Sequence, residues 1–152
     1  MTLLLTLLIT AAVSAACIGA HWLVMEHLIK RLCGRSPNRP RVLLQGMVIL
    51  LLAHLAQITA FAGVYLLVDH QWPQSFGNLA GEQGGPRSIG FLDAWYFSAC
   101  TYTTVGYGDL RPRGDLRLLA GVEALVGFLM ITWSASFSFY IMNRAWRDRF
   151  RD

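Results

Sequence analysis

Six consecutive residues, Thr104, Val105, Gly106, Tyr107, Gly108 and Asp109, have the types needed to replace the water around a potassium ion with backbone carbonyl oxygens. Such a filter stacks rings of carbonyls, and each of four chains supplies one quarter of every ring. Successive carbonyls can face one axis only if the backbone alternates between conformations that ordinary residues avoid, and Gly106 and Gly108 take φ > 0 without a Cβ clash. Val105 and Tyr107 are expected to turn outward into packing that holds the ring diameter, while the Thr104 hydroxyl adds an oxygen at the inner end. A Gly-Tyr-Gly triplet by itself also suits a hairpin turn. The Thr103-Thr104 pair, the following Asp109 and the apolar setting favour ion binding.

The rest of the chain has to hold that segment in a bilayer. Hydrophobic residues make up 55% of the 152 residues and charged residues 14%, too little polar surface for a water-soluble domain of this size. Three apolar blocks stand out. Leu3 to Met25 and Val42 to Val68 run for 23 and 27 residues without a charge, and Leu118 to Met142 runs for 25 with only Glu123. Each exceeds the ~20 residues that cross a hydrocarbon core of about 30 Å, so three spanning helices are expected. The first block lacks a basic residue before it and is longer than the core of an export signal; it reads as a retained helix. Phe91 to Tyr102 is too short to span at 12 residues but suits a re-entrant helix, leading into non-helical backbone that protein buries or water reaches.

Charge orients these elements. The stretch from Lys30 to Arg41 has five basic residues and no acid, the tail from Arg144 to Asp152 has four arginines and two acids, and Asp69 to Arg117 has four basic residues and five acids. Basic loops stay cytoplasmic. The N-terminus is therefore expected outside, the C-terminus inside, and the filter at the outer mouth of a cell-membrane protein of the bacterial inner-membrane kind.

Phe91 to Gly108, FLDAWYFSACTYTTVGYG, followed by Asp109 and Pro112, resembles the pore region of the potassium channel family with two transmembrane helices flanking a pore loop. The resemblance covers about Val42 to Met142, and the helix before it is additional. It implies an all-α membrane protein with an outer helix at 42–68, an extracellular loop at 69–90, a pore helix at 91–102, a filter at 104–108 and an inner helix at 117–143. The first 41 residues then form the extra helix and a basic link, and 144–152 a basic tail. It also implies a homotetramer, a closed fourfold ring being the natural assembly, with potassium as the permeant ion on Thr104, Val105, Gly106 and Tyr107. The activity implied is passive, potassium-selective conduction. A weakly selective cation channel and a non-conducting regulatory subunit are the alternatives.

Several side chains then acquire expected roles. The C-terminal pole of the pore helix, near Tyr102, favours a cation, and Ser88 or Asp93 can cap its start. Trp95 and Tyr96 suit an interfacial anchor. Asp109 either concentrates cations at the mouth or is tied to a donor behind the filter, as this position commonly is in the family. Tyr96, Phe97, Cys100 and Glu123 are the candidates for filter support. Some relatives have glutamate at the place of Cys100 and many channels a tryptophan at that of Phe97, so the polar bracing differs here. Glu123, an acid deep in a span, is expected to face protein and to bond to the back of the pore loop. Gly127 falls where the family often has a hinge; close helix packing is the competing reading. Phe128, Ile131 or Thr132, Ala135 and Phe139 share a helical face that can line a vestibule.

The remaining features exclude more than they propose. Cys17 and His21 have a helical spacing that superficially suits a metal, but two ligands do not make a site, and His54, near Gln57, reads as packing. No paired carboxylates or Ser/His/Asp set argue for catalysis, no disulfide framework is implied by Cys17, Cys33 and Cys100, and no cofactor or nucleic acid is indicated. No span carries arginine at every third position, so a voltage sensor is not expected, and nine residues after Asn143 are too few for a ligand-binding domain. The arginine-rich tail with Trp146 and Phe150 suits anionic lipid. Gln71 to Gly90, rich in glycine, reads as a flexible turret.

Overall fold

The computed structural model describes residues 3–33, 40–72, 76–78 and 89–149. Among them are four helices, α1 (Leu3–Cys33), α2 (Pro40–Gln71), α3 (Phe91–Tyr102) and α4 (Leu116–Arg149), and two three-residue strands. Three helices contain apolar spans, Leu3–Arg31, Leu43–Gln71 and Leu116–Arg144, with mean hydropathies of 2.3, 2.0 and 1.8. A 29-residue span extends about 43 Å at 1.5 Å per residue, more than a bilayer core needs. Large apolar side chains such as Leu4, Leu8, Leu51, Leu67, Leu125 and Leu129 are exposed on all three, as expected of surfaces that meet lipid. The fold is that of an all-α membrane protein.

The buried faces follow helical periodicity. On α4, Leu116, Leu119, Glu123, Val126, Met130, Ser134, Phe137 and Ile141 are buried, with steps of three or four residues. On α1 the buried stripe is Thr6, Thr10, Ser14, Cys17, His21, Met25 and Leu28. Most of that stripe is small or polar, the composition that lets helices approach closely where lipid gives no hydrophobic drive to associate. Two apolar clusters result. One, with Ile58, Phe61, Tyr65, Phe97, Tyr102 and Val126 among its members, surrounds α3. The other, Met25, Leu28, Leu50, Phe137 and Ile141, joins the end of α1, the start of α2 and the end of α4. The short helix is thus held at one end of the bundle.

Three element boundaries carry physical information. Pro40 opens α2, where its missing N–H costs no hydrogen bond. The basic tail does not leave the helix at residue 143, since α4 continues to Arg149. The glycine-rich loop is also not structureless throughout: β1 (Phe76–Asn78) pairs antiparallel with β2 (Leu110–Pro112), with Gly77 opposite Arg111. That pairing ties the loop to the residues just after Asp109. Gly114, at φ 53°, then turns the chain into α4, a conformation that glycine adopts without strain.

Gly127 is explained by proximity. A Cβ at this position would lie 2.0 Å from the Tyr102 carbonyl oxygen and 2.9 Å from its Cα. The inner surface of α4 therefore rests directly on the last residue of α3, as the close-packing reading requires. In an open helical site Gly127→Ala gains roughly 1 kcal/mol from helix propensity. Here it should instead lower the thermal unfolding midpoint of the detergent-solubilised protein, because α4 must move off the pore-helix backbone; a raised midpoint would contradict this packing.

Candidate functional site

α3 begins at Gly90 in extended conformation. Asp93 accepts a hydrogen bond from the Gly90 N–H at 3.4 Å, and its charge suits the first turn. Ser88, the other cap considered, lies outside the described residues. The entry is fixed further by Asp69, which accepts from the Ile89 N–H at 3.0 Å and so joins the end of α2 to the start of α3. Trp95 does not simply anchor at an interface. Its indole N–H donates to Thr59 Oγ1 at 3.1 Å, which places the ring against α2. Phe97 packs edge-on against Tyr65 with ring centroids 5.0 Å apart.

Beyond α3 the backbone departs from helix in a regular way. Thr104, Gly106 and Gly108 have φ of 60°, 54° and 79°, and no other non-glycine residue described has positive φ. Positive φ therefore recurs at every second residue from 104 to 108. The glycines adopt it freely, but Thr104 is β-branched and pays of order 1–2 kcal/mol. An outlier of this kind persists only where the surroundings over-determine it, and such positions cluster at functional sites. Three bonds hold it: the Thr103 N–H to Ala99 O at 3.1 Å, the Thr104 N–H to Thr101 O at 3.0 Å and the Gly106 N–H to Cys100 O at 3.0 Å. The last carbonyls of α3 thus receive the first amides of the loop, and the Thr103 hydroxyl adds a bond to Ala99 O at 2.7 Å.

The side chains of this loop are largely uncovered: Val105 and Tyr107 are 55% and 72% exposed. Tyr107 is stacked on Tyr96, with centroids 6.3 Å apart and planes 3° from parallel. Tyr96 also lies close to Asp109 and Cys100. Asp109 accepts the N–H of Leu110 at 3.0 Å. The acid that follows the last glycine thus lies beside a tyrosine of α3 and accepts the amide of the residue after it.

Glu123 is fully buried, and its partners lie on the helices around the loop rather than on the loop itself. Oε2 accepts from the Tyr65 hydroxyl of α2 at 2.5 Å, and Oε1 meets the Ser98 hydroxyl of α3 at 2.5 Å. Ser98 also reaches Ile58 O at 2.8 Å. One carboxyl thereby joins α2, α3 and α4. Ser98 and Tyr65 were not singled out by sequence, because hydroxyls in an apolar stretch announce no partner until the helices are docked. On the other face of α4, Phe128, Ile131, Thr132, Ala135 and Phe139 are exposed in a single chain, available to a vestibule or to neighbouring protomers.

Fold and site together define an integral membrane protein in which two long helices flank a short helix and a loop of alternating backbone handedness. Comparison with known proteins agrees: the signature of the family described as "Ion channel" matches residues 47–143. The chain belongs to the potassium channel family whose members place two transmembrane helices around each pore loop, here with one further helix before them. Protein LctB of Bacillus caldotenax is 30% identical over 122 residues, 80% of this chain and 84% of that protein. The inward rectifier potassium channel Kirbac3.1 of Paramagnetospirillum magnetotacticum is 35% identical over 80 residues, 52% of this chain and 27% of that protein. Two pore potassium channel a of Oryza sativa subsp. japonica is 41% identical over 69 residues, 45% and 19% of the two chains. No solved structure matches.

The Glu123 contacts generate a stability prediction. Glu123→Ala removes the acceptor of the Tyr65 hydroxyl, at about 1–3 kcal/mol, and leaves Ser98 only Ile58 O, whereas Glu123→Gln keeps an acceptor for one hydroxyl and a donor for the other. Glu123→Ala should lower the melting midpoint of the solubilised protein substantially more than Glu123→Gln does. Equal midpoints for the two variants would show that the carboxyl does not join the helices.

Proposed function

We propose that four copies of this chain form a channel that conducts potassium passively and selectively across the membrane, with the carbonyl oxygens of Thr104, Val105, Gly106 and Tyr107 as the ion's ligands. The observation that carries this reading is the recurrence of positive φ at Thr104, Gly106 and Gly108. Alternation of handedness turns successive peptide planes so that their carbonyls can line one side, as a filter needs. The exposed Val105 and Tyr107 support assembly, since large apolar and aromatic side chains beside a strained loop need a neighbour to hold them. Two potassium channels among the relatives support the choice of ion.

In this reading the Lys30 to Arg41 link and the basic end of α4 face the cytoplasm and the loop faces outside, in a bacterial inner membrane, because basic residues resist translocation. Arg144 and Arg147 on the continued helix then meet anionic headgroups. Phe128, Ile131, Thr132, Ala135 and Phe139 line the inner vestibule, whose apolar wall closes by dewetting. Tyr96, Phe97, Cys100 and Glu123 support the filter. The packing of Gly127 on Tyr102 favours close approach over a hinge as that glycine's role.

Purified protein in liposomes with a potassium gradient tests the proposal. Potassium flux should exceed sodium flux and be blocked by an alkaline-earth ion of potassium's size. Within one chain a Cβ at Gly106 meets nothing within 4 Å, yet φ is +54°, so Gly106→Ala strains the backbone whatever the space. Four strained residues at about 1 kcal/mol each should reduce flux by at least about a hundredfold while the assembly persists. Comparable sodium and potassium flux would indicate a weakly selective cation channel. Silence of the wild-type protein would indicate a non-conducting subunit.

A further inference from the structure

The residue that enters the candidate filter is also the meeting point of a polar cluster among all four helices, buried except at the half-buried His54. Tyr102 Oη donates to Gln57 Oε1. Gln57 Nε2 lies 3.3 Å from His21 Nδ1, His21 Nε2 lies 3.1 Å from Ser134 Oγ, and Ser134 Oγ lies 3.0 Å from His54 Nε2. His54 Nδ1 returns to Tyr102 Oη at 2.9 Å. Five side chains, from α1, α2, α3 and α4, thus close a ring. We propose that His21, Gln57, Tyr102, His54 and Ser134 form a one-way ring of hydrogen bonds that positions the filter entry, requires both imidazoles to be neutral, and opens when His21 gains a proton.

The direction of the ring follows from one atom outside it. Gln57 also reaches the Cys17 carbonyl at 3.1 Å, and a carbonyl only accepts, so the amide nitrogen must be on that side. Its second hydrogen then points at His21 Nδ1, which has to accept, leaving the His21 proton on Nε2 to be given to Ser134. Gln57 Oε1 faces Tyr102, whose single proton it receives. Tyr102 must therefore accept from His54 Nδ1–H, and His54 Nε2 accepts the Ser134 proton. Every member gives one hydrogen and takes one, so the bonds polarise in the same sense. The two histidines carry opposite tautomers.

A proton added to Nδ1 of His21 sets N–H against N–H. Gln57 cannot turn to answer it without presenting its oxygen to the Cys17 carbonyl. At His54 the outcome differs, because the Ser134 hydroxyl can rotate and accept instead, as serines on this helix do when they bond a carbonyl one turn back. His21 is therefore the sensitive member. The other titratable groups packed around the ring are Cys17 on α1, Tyr65 on α2 and Glu123 on α4, with Tyr102 itself on α3. Trp133 covers His21 with ring centroids 5.6 Å apart and brings no charge. The N-terminal helix is then a working part of the pore rather than an attachment: it supplies His21, which sets the Gln57 amide that receives Tyr102, two positions before Thr104.

The effect on conduction rests on the channel reading above; the ring itself does not, so two measurements are needed. In vesicles at pH 7.5, nitrogen-15 spectra of histidine-labelled protein, with signals assigned by His21→Gln and His54→Gln, should show two neutral imidazoles, His21 protonated at Nε2 and His54 at Nδ1. A charged His21, or the same tautomer at both, overturns the ring. Potassium flux of the wild-type protein should fall by at least about tenfold between pH 7.5 and pH 4, a shift of roughly 1.4 kcal/mol. Whatever flux remains in His21→Gln should no longer respond to acid, and Tyr102→Phe should conduct less than wild type at both pH values. Flux that ignores acid in the wild type, or a full acid response in His21→Gln, overturns the proposal. Absence of flux at both pH values counts against the channel reading alone, and the ring then stands or falls on the tautomers.

Discussion

The contact on which the structure turns is the meeting of Tyr102 with α4. No side chain can stand between them at Gly127, since a Cβ there would overlap the Tyr102 carbonyl. The backbone that ends the short helix is therefore fixed in depth by a spanning helix, and the loop beyond it starts from a defined point. That matters because loop backbone inside a bilayer has no water to fall back on. Its first amides find their acceptors on Ala99, Cys100 and Thr101, and those acceptors are in place only while α3 is.

Polar side chains do the docking that hydrophobicity cannot. Lipid tails are as apolar as leucine, so the spans gain little by hiding leucines from them, and association rests on close packing and interhelical hydrogen bonds. Glu123 joins Tyr65 and Ser98; Gln57 joins Cys17, His21 and Tyr102; Thr59 receives Trp95. Each joins helices distant in sequence. Together they hold α3 at Trp95, Ser98 and Tyr102, while Val105 and Tyr107 beyond it stay exposed.

Much of this was legible in the residue order. Uninterrupted apolar runs give spanning helices because length and hydropathy alone decide them, and the spacing of glycines from 104 to 108 anticipates alternating handedness because only glycine enters the left-handed region freely. Positive φ at Thr104 was not legible, since nothing in a threonine signals strain that its surroundings impose. The continuation of α4 to Arg149 was hidden by the change from apolar to basic composition, which marks where a helix leaves lipid and not where it ends. The strand pairing of residues 76–78 with 110–112 joins segments separated by a whole helix and loop, and three residues are too few to show a period. His21 and His54 could be read only as packing, because a ring of single donors and acceptors exists in the docked helices and not in any one of them. Tyr96 illustrates a middle case: it was a candidate for filter support, but its stacking on Tyr107 and its place beside Asp109 depend on how the loop folds back.

The central claim is that the carbonyls of Thr104 to Tyr107 from four chains bind a dehydrated potassium ion. Crystals of the protein grown with thallium or rubidium, which stand in for potassium and scatter anomalously, test it most directly. The account predicts a row of anomalous peaks on a fourfold axis, each surrounded by carbonyl oxygens of these residues from four protomers. Peaks elsewhere, or chains that do not gather around such an axis, would contradict it.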